Sequence, residues 1–215
     1  QLRTVAVATN KKIAKDLGIP QSTAITCVKP SGTVSQLVDS ASGIHARHNP
    51  FYVRTVRGDN KDPLTQFMQQ VGIPIEPDMG KPDSVSVFSF PMKSPNGAVT
   101  RTEMTAIEQL DYWLLFQRHW CEHKPSVTIS VKENEWMDVG AWVYRNFDEV
   151  SGISFLPFSE HTYQQAPYQD ITEEEYDKLM EKMPTQIDWG MLKDFEKEDT
   201  TTGSKDLACV AGACE

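Results

Sequence analysis

The carboxyl-terminal stretch CVAGACE carries two cysteines, Cys209 and Cys214, separated only by small and apolar residues. The acidic segment before them has no apolar periodicity, which is typical of a mobile tail. Thiols so placed could cycle between dithiol and disulfide, pair with another molecule, or bind zinc. Zinc is the weakest of these interpretations, because one pair of cysteines supplies only half of a tetrahedral ligand set.

A second candidate for chemistry is the run Pro30-Ser31-Gly32-Thr33-Val34-Ser35. Pro30 has no backbone N–H to donate, so it should end the segment before it. Ser31, Gly32 and Thr33 then lead into a helix, whose first amides lack internal partners and attract anions. Two interpretations stay open. The run binds a phosphate group, or its hydroxyls only cap the helix.

Positively charged and titratable side chains follow this run at His45, Arg47, His48, Arg54 and Arg57. They could form a second source of positive charge beside a bound anion. They could equally be solvated charges along a strand edge. Their spacing alone does not decide between the two interpretations.

The remaining thiols and histidines suggest less chemistry. Cys27 lies in a β-branched segment, and we expect an inert core thiol there. His119 and His123 are spaced by one helical turn, which can chelate a metal ion, but Cys121 between them should point to another face. We therefore expect no metal site.

Composition limits the classes of partner. The formal net charge of −9 argues against duplex DNA or an anionic membrane, since both require a basic surface. No apolar run reaches membrane-spanning length. Four cysteines in 215 residues do not make a secreted disulfide framework, so we expect thiols kept in the cytoplasm. The chain begins at Gln1, and we expect that an upstream part of the same protein is missing.

Strand-like and helical patterns alternate along the chain. The predicted strands are 23–29, 51–57, 84–92, 126–132 and 151–158. The predicted helices are 4–18, 63–72, 101–122 with Thr100 and Glu103 as a capping box, 135–147, and one capped by Thr172 and Glu175 that runs through Met183. This alternation predicts an α/β layered or barrel architecture with parallel strand pairing.

Three stretches resemble one enzyme family. They are CVKPSGTVSQLVDSASGIHARHNPFYVRTVR, SGISFLPFSEHTYQQAPYQDI and the terminal CVAGAC. In this order they are similar to the C-terminal part of class II, adenosylcobalamin-dependent ribonucleotide reductases. The likeness is closest to the monomeric triphosphate-reducing type, although the motifs alone do not distinguish di- from triphosphate substrates. The family fold is a ten-stranded α/β barrel, which implies that residues 1–190 form its C-terminal part and 191–215 a flexible tail.

The resemblance also implies roles for particular residues. Pro30, Ser31, Gly32, Thr33, Val34 and Ser35 would hold the phosphates of the ribonucleotide substrate. Cys209 and Cys214 would be the dithiol that re-reduces the active site after each turnover and is itself recycled by thioredoxin or a similar reductant. The family's radical cysteine has Asn and Glu beside it, and no Asn-x-Cys-x-Glu occurs here. The chain by itself should therefore be inactive.

Two other hypotheses remain from the sequence. The chain could be a phosphate-binding α/β module of a different enzyme, with a structural tail. It could also be a redox-responsive interaction protein that pairs through its terminal cysteines. An Asn-x-Cys-x-Glu motif upstream would favour the reductase over both.

Overall fold

The computed structural model describes residues 1–32, 34–158 and 164–196. The chain divides into two compact units, and each is described by itself. The first unit comprises residues 1–47 and 97–160, and the second comprises residues 48–96 and 161–215.

The elements are numbered in chain order. The helices are α1 (Leu2–Leu17), α2 (Val34–Leu37), α3 (Pro63–Gln70), α4 (Ala106–His119), α5 (Trp136–Arg145) and α6 (Glu173–Met180). The strands are β1 (Phe51–Asp59), β2 (Ile75–Pro77), β3 (Val85–Lys93), β4 (Thr128–Val131), β5 (Ser154–Pro157) and β6 (Tyr168–Asp170). Short 3₁₀ turns occupy Glu133–Glu135, Phe147–Glu149 and Trp189–Asp194.

The core of the first unit is built by α4, β4 and α5. Its buried apolar side chains are Ile44, Ala106, Leu110, Trp113, Leu114, Val127, Ile129, Val131, Val139 and Trp142. On α4 these positions recur every three or four residues, so one stripe of the helix faces the core. The two buried indoles also have polar partners, since Trp113 Nε1 donates to Pro125 O and Trp142 Nε1 donates to Asp111 Oδ1.

Strands β4 and β5 pair in parallel, with Thr128 opposite Ser154 and Val131 opposite Pro157. Helix α5 connects them, so the three elements form one β-α-β unit. A parallel pair needs such a crossover, because a tight hairpin can join only antiparallel strands. Ile129 and Val131 are almost fully buried, as expected for strands of a parallel sheet.

The second unit is built on an antiparallel sheet with the strand order β2-β3-β1-β6. Strands β1 and β3 pair over their whole length, from Phe51 opposite Lys93 to Asp59 opposite Val85. Helix α3 packs its fully buried Phe67 against Trp189 and Phe195, with ring centroids 5.4 and 5.8 Å away. Part of the segment that the sequence assigns to the tail thus lies on this unit's core.

The structure confirms most predicted elements and corrects several of them. Residues 24–30 belong to no strand, so the predicted strand 23–29 is wrong. The carbonyls of Thr26 and Val28 accept hydrogen bonds from the turn at 122–126. That turn contains Pro125, which has no N–H, and it is irregular, so no strand ladder forms.

The predicted helix 101–122 begins at Ala106 and ends at His119. Its capping box consists of Thr105 and Glu108, five residues after the predicted pair. Thr100 and Glu103 do bond to each other, through the Thr100 N–H and hydroxyl, but they close a turn before the helix. The same Thr-x-x-Glu spacing serves both purposes, so the sequence pattern alone could not tell them apart.

The expectation of parallel pairing holds for β4 and β5 and is wrong for the second unit, where the strand pairs are antiparallel. The capping box at Thr172 and Glu175 is confirmed, although α6 ends at Met180 rather than Met183. Among the described residues, no helix combines the length and the apolar character needed to cross a bilayer.

A buried carboxylate organises one end of the antiparallel sheet. Asp78 is 8% exposed and accepts hydrogen bonds from Arg57 Nε at 2.8 Å and from the amides of Gly80 and Lys81 at 2.9 Å. Burial acts to raise the pKa of Asp78, but the hydrogen bonds from Arg57, Lys81 and Gly80 together outweigh it, and the pKa is lowered.

We expect Asp78→Asn to destabilise the protein at pH 7 by about 1–3 kcal/mol, the range for losing a charged hydrogen-bond partner. Because the folded-state pKa is depressed, the carboxylate stabilises the fold above the ordinary aspartate pKa and stops doing so as pH falls below about 4. Urea unfolding at pH 7 and at lower pH should therefore show the gap between wild type and variant closing. Asp83→Asn, at an exposed position, is the matched control. A gap that stayed constant with pH would contradict this account.

Candidate functional site

The approach to the Pro30–Ser35 run is an extended segment docked on the end of α4. The Glu122 and Ser126 amides donate to Thr26 O and Val28 O at 2.9 and 3.0 Å. Trp120 Nε1 donates to Cys27 O at 3.2 Å. Several hydrogen bonds therefore set the position of the chain just before Pro30.

Ser31 is held by a reciprocal pair of hydrogen bonds to Ser42. The Ser31 amide donates to Ser42 Oγ at 2.7 Å, and Ser42 Oγ donates to Ser31 O at 2.9 Å. Ser31 Oγ in turn accepts from the Ser35 amide at 2.8 Å. One of the amides expected to face an anion is thus already paired within the protein, and the Ser31 side chain caps α2.

Gly32 is the open part of the run. It is exposed, and a Cβ atom added to it would meet no other residue within 4 Å. Its amide makes no hydrogen bond to another residue that the structure describes. A ligand can therefore approach the backbone at Gly32 closely.

The neighbours of Gly32 differ in exposure. Val34 is 64% exposed at the start of α2, whereas Ser35 is 3% exposed and donates from Oγ to Ser31 O at 3.2 Å. Thr33 lies outside the described residues. The exposed residues in the described part of the run are therefore Pro30, Gly32 and Val34.

His45 links this region to strand β4. The Thr128 amide donates to His45 Nε2 at 3.0 Å, and His45 Nδ1 lies 2.7 Å from Ser42 O. An amide can only donate, so Nε2 must be the acceptor and Nδ1 must carry the proton that is donated to Ser42 O. The hydrogen bonds thus require the neutral Nδ1–H tautomer of His45.

Gly43 supplies a second close contact between the two segments. Its φ of +61° lies in the left-handed region, which favours glycine. A Cβ atom at this position would lie 2.8 Å from Lys29 O, so a larger residue would push the two backbones apart.

Arg47 is paired within the protein. Its side chain is 7% exposed, and Nη2 lies 2.9 Å from Asp39 Oδ1 and also bonds to Asp39 O. The backbone of Arg47 bonds to Val99 O and to the Arg101 amide. This guanidinium anchors the turn after α2.

The three other cationic candidates belong to the second unit and also have internal partners. Arg57 bonds to Asp78, and Arg54 bonds to Pro167 O and lies 4.4 Å from the centroid of the Tyr168 ring. His48 Nε2 is 2.7 Å from Asp170 Oδ1. The structure therefore favours structural roles for these charges within their unit.

The two described thiols lie close together and are both free. Cys121 is 7% exposed, and burial raises the pKa of its thiol, with a smaller contribution from the nearby Cys27. Since the thiolate is the nucleophilic form, Cys121 is poorly suited to nucleophilic chemistry at neutral pH. Cys209 and Cys214 lie outside the described residues.

Helix α4 ends at His119, so His119 and His123 do not occupy successive turns of one helix. The His123 amide instead donates to Thr26 O. Within residues 1–32, 34–158 and 164–196, no three histidine, cysteine or acidic side chains are grouped to hold a metal ion.

Sequence patterns did not identify Ser42 as a partner of Ser31. The two serines are eleven positions apart in a stretch without helical or strand periodicity. The usable signal was the Gly43-Ile44-His45 triplet, since a glycine and a buried apolar residue beside a polar loop indicate a tight backbone approach.

Comparisons with known proteins point in one direction. The chain is 31% identical over 178 residues to an adenosylcobalamin-dependent ribonucleoside-triphosphate reductase of Euglena gracilis, which covers 82% of this chain and 24% of that protein. It is 29% identical over 211 residues to a probable reductase of the same name in Dictyostelium discoideum, covering 95% of this chain and 27% of the relative. The Lactobacillus delbrueckii subsp. bulgaricus enzyme is 28% identical over 225 residues, covering all of this chain and 29% of the relative.

A solved structure shows the same fold. It is the crystal structure of a B12-dependent, class II ribonucleotide reductase, which superposes with a TM-score of 0.77 at 24% identity over 94% of this chain and 28% of that one. A comparison with models of protein families finds no match. The α/β fold is therefore shared with a solved reductase.

The chain spans roughly a quarter of the length of the curated relatives it matches, between 24% and 29%. The similarity nevertheless covers most or all of the chain in several organisms, and the fold agrees. Most or all of this chain is therefore similar to one part of adenosylcobalamin-dependent, class II ribonucleotide reductases.

Proposed function

We propose that this chain is the C-terminal part of a reductase that converts ribonucleoside triphosphates to 2′-deoxyribonucleotides. The observation that carries the proposal is the similarity of nearly the whole chain to ribonucleoside-triphosphate reductases, together with the shared fold. Its part in that enzyme would be to hold the substrate phosphates and to deliver reducing equivalents. Such an enzyme would work in the cytoplasm, beside a pool of thiol reductants.

Two features of the first unit support its being part of a ten-stranded α/β barrel, formed with an upstream segment of the same polypeptide. The parallel β4–β5 pair has only two strands, too few for an independent sheet. Helix α1 buries only Ala14, while Leu2, Val5, Ile13 and Leu17 are about half exposed or more. Apolar faces of this size are normally covered by another part of a protein.

The phosphate loop is assigned to Pro30, Ser31, Gly32, Thr33, Val34 and Ser35. The support from the described residues is the exposed Gly32 backbone, with open space around it and the Ser31 hydroxyl on the preceding residue. Holding the substrate by its phosphates would fix the ribose relative to the reacting groups, which converts a bimolecular step into an oriented, unimolecular one.

Adenosylcobalamin would supply the radical by homolysis of its cobalt–carbon bond. The radical-bearing role is assigned to neither described thiol, because Cys27 and Cys121 both lack the Asn-x-Cys-x-Glu surroundings expected for the radical cysteine. The cofactor site and the radical cysteine are therefore assigned to the part of the enzyme outside this chain.

The redox dithiol is assigned to Cys209 and Cys214 in a C-terminal tail, residues 191–215, that follows a barrel part of residues 1–190. Because Phe195 packs on Phe67, the proposed flexibility applies to the later part of the tail that carries the two cysteines. Reduction of a ribonucleotide removes the 2′ oxygen as water and leaves two cysteines oxidised to a disulfide. The tail dithiol would reduce that disulfide by thiol–disulfide exchange and become oxidised itself. Thioredoxin or a similar dithiol protein would then reduce the tail.

We expect Gly32→Val to weaken the binding of a ribonucleoside triphosphate by about tenfold, because the added side chain occupies the space where phosphate oxygens would approach the backbone. Equilibrium binding to the complete reductase that carries this chain would measure the change. Apart from the chain neighbours of Gly32, no described residue lies within 4 Å of the new Cβ, so the loss would come from the ligand and not from a clash within the described fold.

Gly140→Val is the matched control, since Gly140 also has open surroundings but lies on α5. The free nucleoside, which has no phosphates, should bind the Gly32 variant as it binds the wild type. Unchanged triphosphate affinity in Gly32→Val would rule out the phosphate loop.

We expect Cys209→Ser and Cys214→Ser to leave the first turnover intact and to reduce thioredoxin-driven multiple turnover to background. A pre-reduced enzyme needs the tail only after its active-site cysteines have been oxidised. Rapid-quench assays of one turnover, beside steady-state assays with thioredoxin, would separate the two phases, and a small dithiol reductant should partly restore turnover.

Cys27→Ser provides the control for this pair, because its half-buried thiol has no proposed part in the exchange. It should keep thioredoxin-driven turnover. If either tail variant also kept it, the dithiol assignment would be wrong.

A further inference from the structure

Hydrogen bonds connect the Ser31 turn to strand β4 through Ser42 and His45. Ser42 uses its hydroxyl toward Ser31, and its carbonyl accepts from His45 Nδ1 and also from the His45 amide at 3.1 Å. The Thr128 amide donates to His45, His45 donates to Ser42 O, and Ser42 bonds in both directions with Ser31. The side-chain bonds in this series are between 2.7 and 3.0 Å. We refer to Ser31, Ser42, His45 and Thr128 as the serine–histidine relay.

The relay begins at the outer edge of β4. The amides of Ser154 and Phe158 bond to the Val127 and Val131 carbonyls on the side that faces β5. The Thr128 and Ser130 amides instead donate to side chains, His45 Nε2 and Gln109 Oε1. His45 thus satisfies a strand-edge donor and at the same time reaches into the loop.

The relay ends at the backbone of Ser31, one residue before the open Gly32. Ser42 supplies both an acceptor for the Ser31 amide and a donor for the Ser31 carbonyl, which fixes the orientation of the flanking peptide groups. Ser31 is only half buried, so water could satisfy the same groups. The role of Ser42 is therefore to select one orientation of the turn.

We propose that Ser42 and His45 are positioning residues that hold the Ser31–Gly32 backbone in the orientation that receives the substrate phosphates. The inference rests on the proposed phosphate loop, but the relay itself is tested independently below. Neither residue needs to touch the substrate. Each acts through the backbone of Ser31. Strand β4, in the core of the first unit, is the rigid element to which the turn is attached.

The first experiment tests the relay without any ligand. Amide hydrogen exchange, resolved to single residues by mass spectrometry of the complete reductase that carries this chain, should show the Ser31 amide exchanging about three- to tenfold faster in Ser42→Ala, the effect of losing one net hydrogen bond. Ser40→Ala is the matched control, because this exposed hydroxyl contacts only the neighbouring Ala41 carbonyl. An unchanged Ser31 amide in Ser42→Ala overturns the proposal.

Two substitutions separate the contributions of the two ring nitrogens of His45 to the protection of the Ser31 amide. His45→Asn keeps a donor near the position of Nδ1, and His45→Gln keeps an acceptor near the position of Nε2. Both should protect the Ser31 amide better than His45→Ala does. Full protection in His45→Ala would end the relay at Ser42 and overturn the role of His45.

The second experiment measures function in the complete reductase. Ser42→Ala should raise KM for the ribonucleoside triphosphate by about three- to tenfold with little change in kcat, and Ser42→Thr, which keeps the hydroxyl, should restore KM. A merely structural role would instead lower the melting temperature and the active fraction, and so kcat, at unchanged KM. That result would overturn the proposal.

Comparing Gly32→Val with Ser42→Ala distinguishes a failure of the phosphate-loop proposal from a failure of the positioning proposal. If it weakens triphosphate binding while Ser42→Ala does not, the phosphate loop stands and the positioning role is wrong. If neither variant changes triphosphate binding, the phosphate loop and the positioning role both fail, whatever hydrogen exchange shows for the relay.

Discussion

The arrangement of the candidate site depends on how two backbone groups of Ser31 are satisfied. A turn that lies partly inside a protein needs partners for its N–H and C=O groups, and without them it would adopt several orientations. Ser42 meets both needs with one hydroxyl, and the close approach of Gly43 to Lys29 brings the two segments into contact. The exposed Gly32 backbone follows directly from this restraint.

The hydrogen bonds to Ser31 can fix the loop only because the series that they belong to ends on a rigid element. Strand β4 is buried on the core of the first unit, with Ile129 and Val131 almost fully enclosed by α4 and α5. Because protein cores are densely packed, small displacements there are costly. A side chain that bonds to the edge of β4 is therefore held in place by the core, and its hydrogen bonds can fix the position of the loop. Helix α2 has only four residues and could not hold the loop in the same way.

The charged residues after the loop show how electrostatics is used in this chain. Arg47 and Arg57 both bond to aspartates, and Arg54 lies against the ring of Tyr168. Such contacts anchor turns and strand ends in their own units.

The sequence determined the features that depend on local pattern. Alternation in 51–57 and 84–92 predicted two strands, which the structure has at Phe51–Asp59 and Val85–Lys93. The Thr172 and Glu175 pair predicted a helix start, and the motifs around Pro30 indicated the resemblance that the comparisons support. What it could not determine were relations between distant segments. Residues 24–30 have the β-branched composition of a strand but meet an irregular turn instead of a strand partner.

Tertiary structure alone decided that β1, β3 and β6 pair antiparallel, and that Ser42 and His45 connect the loop to β4. The physical reason is the same in each case. A backbone hydrogen-bonding group accepts any partner of the right chemistry, so its choice depends on which segment packing brings within about 3 Å. The spacing of neighbouring residues therefore does not determine which partner a backbone group binds.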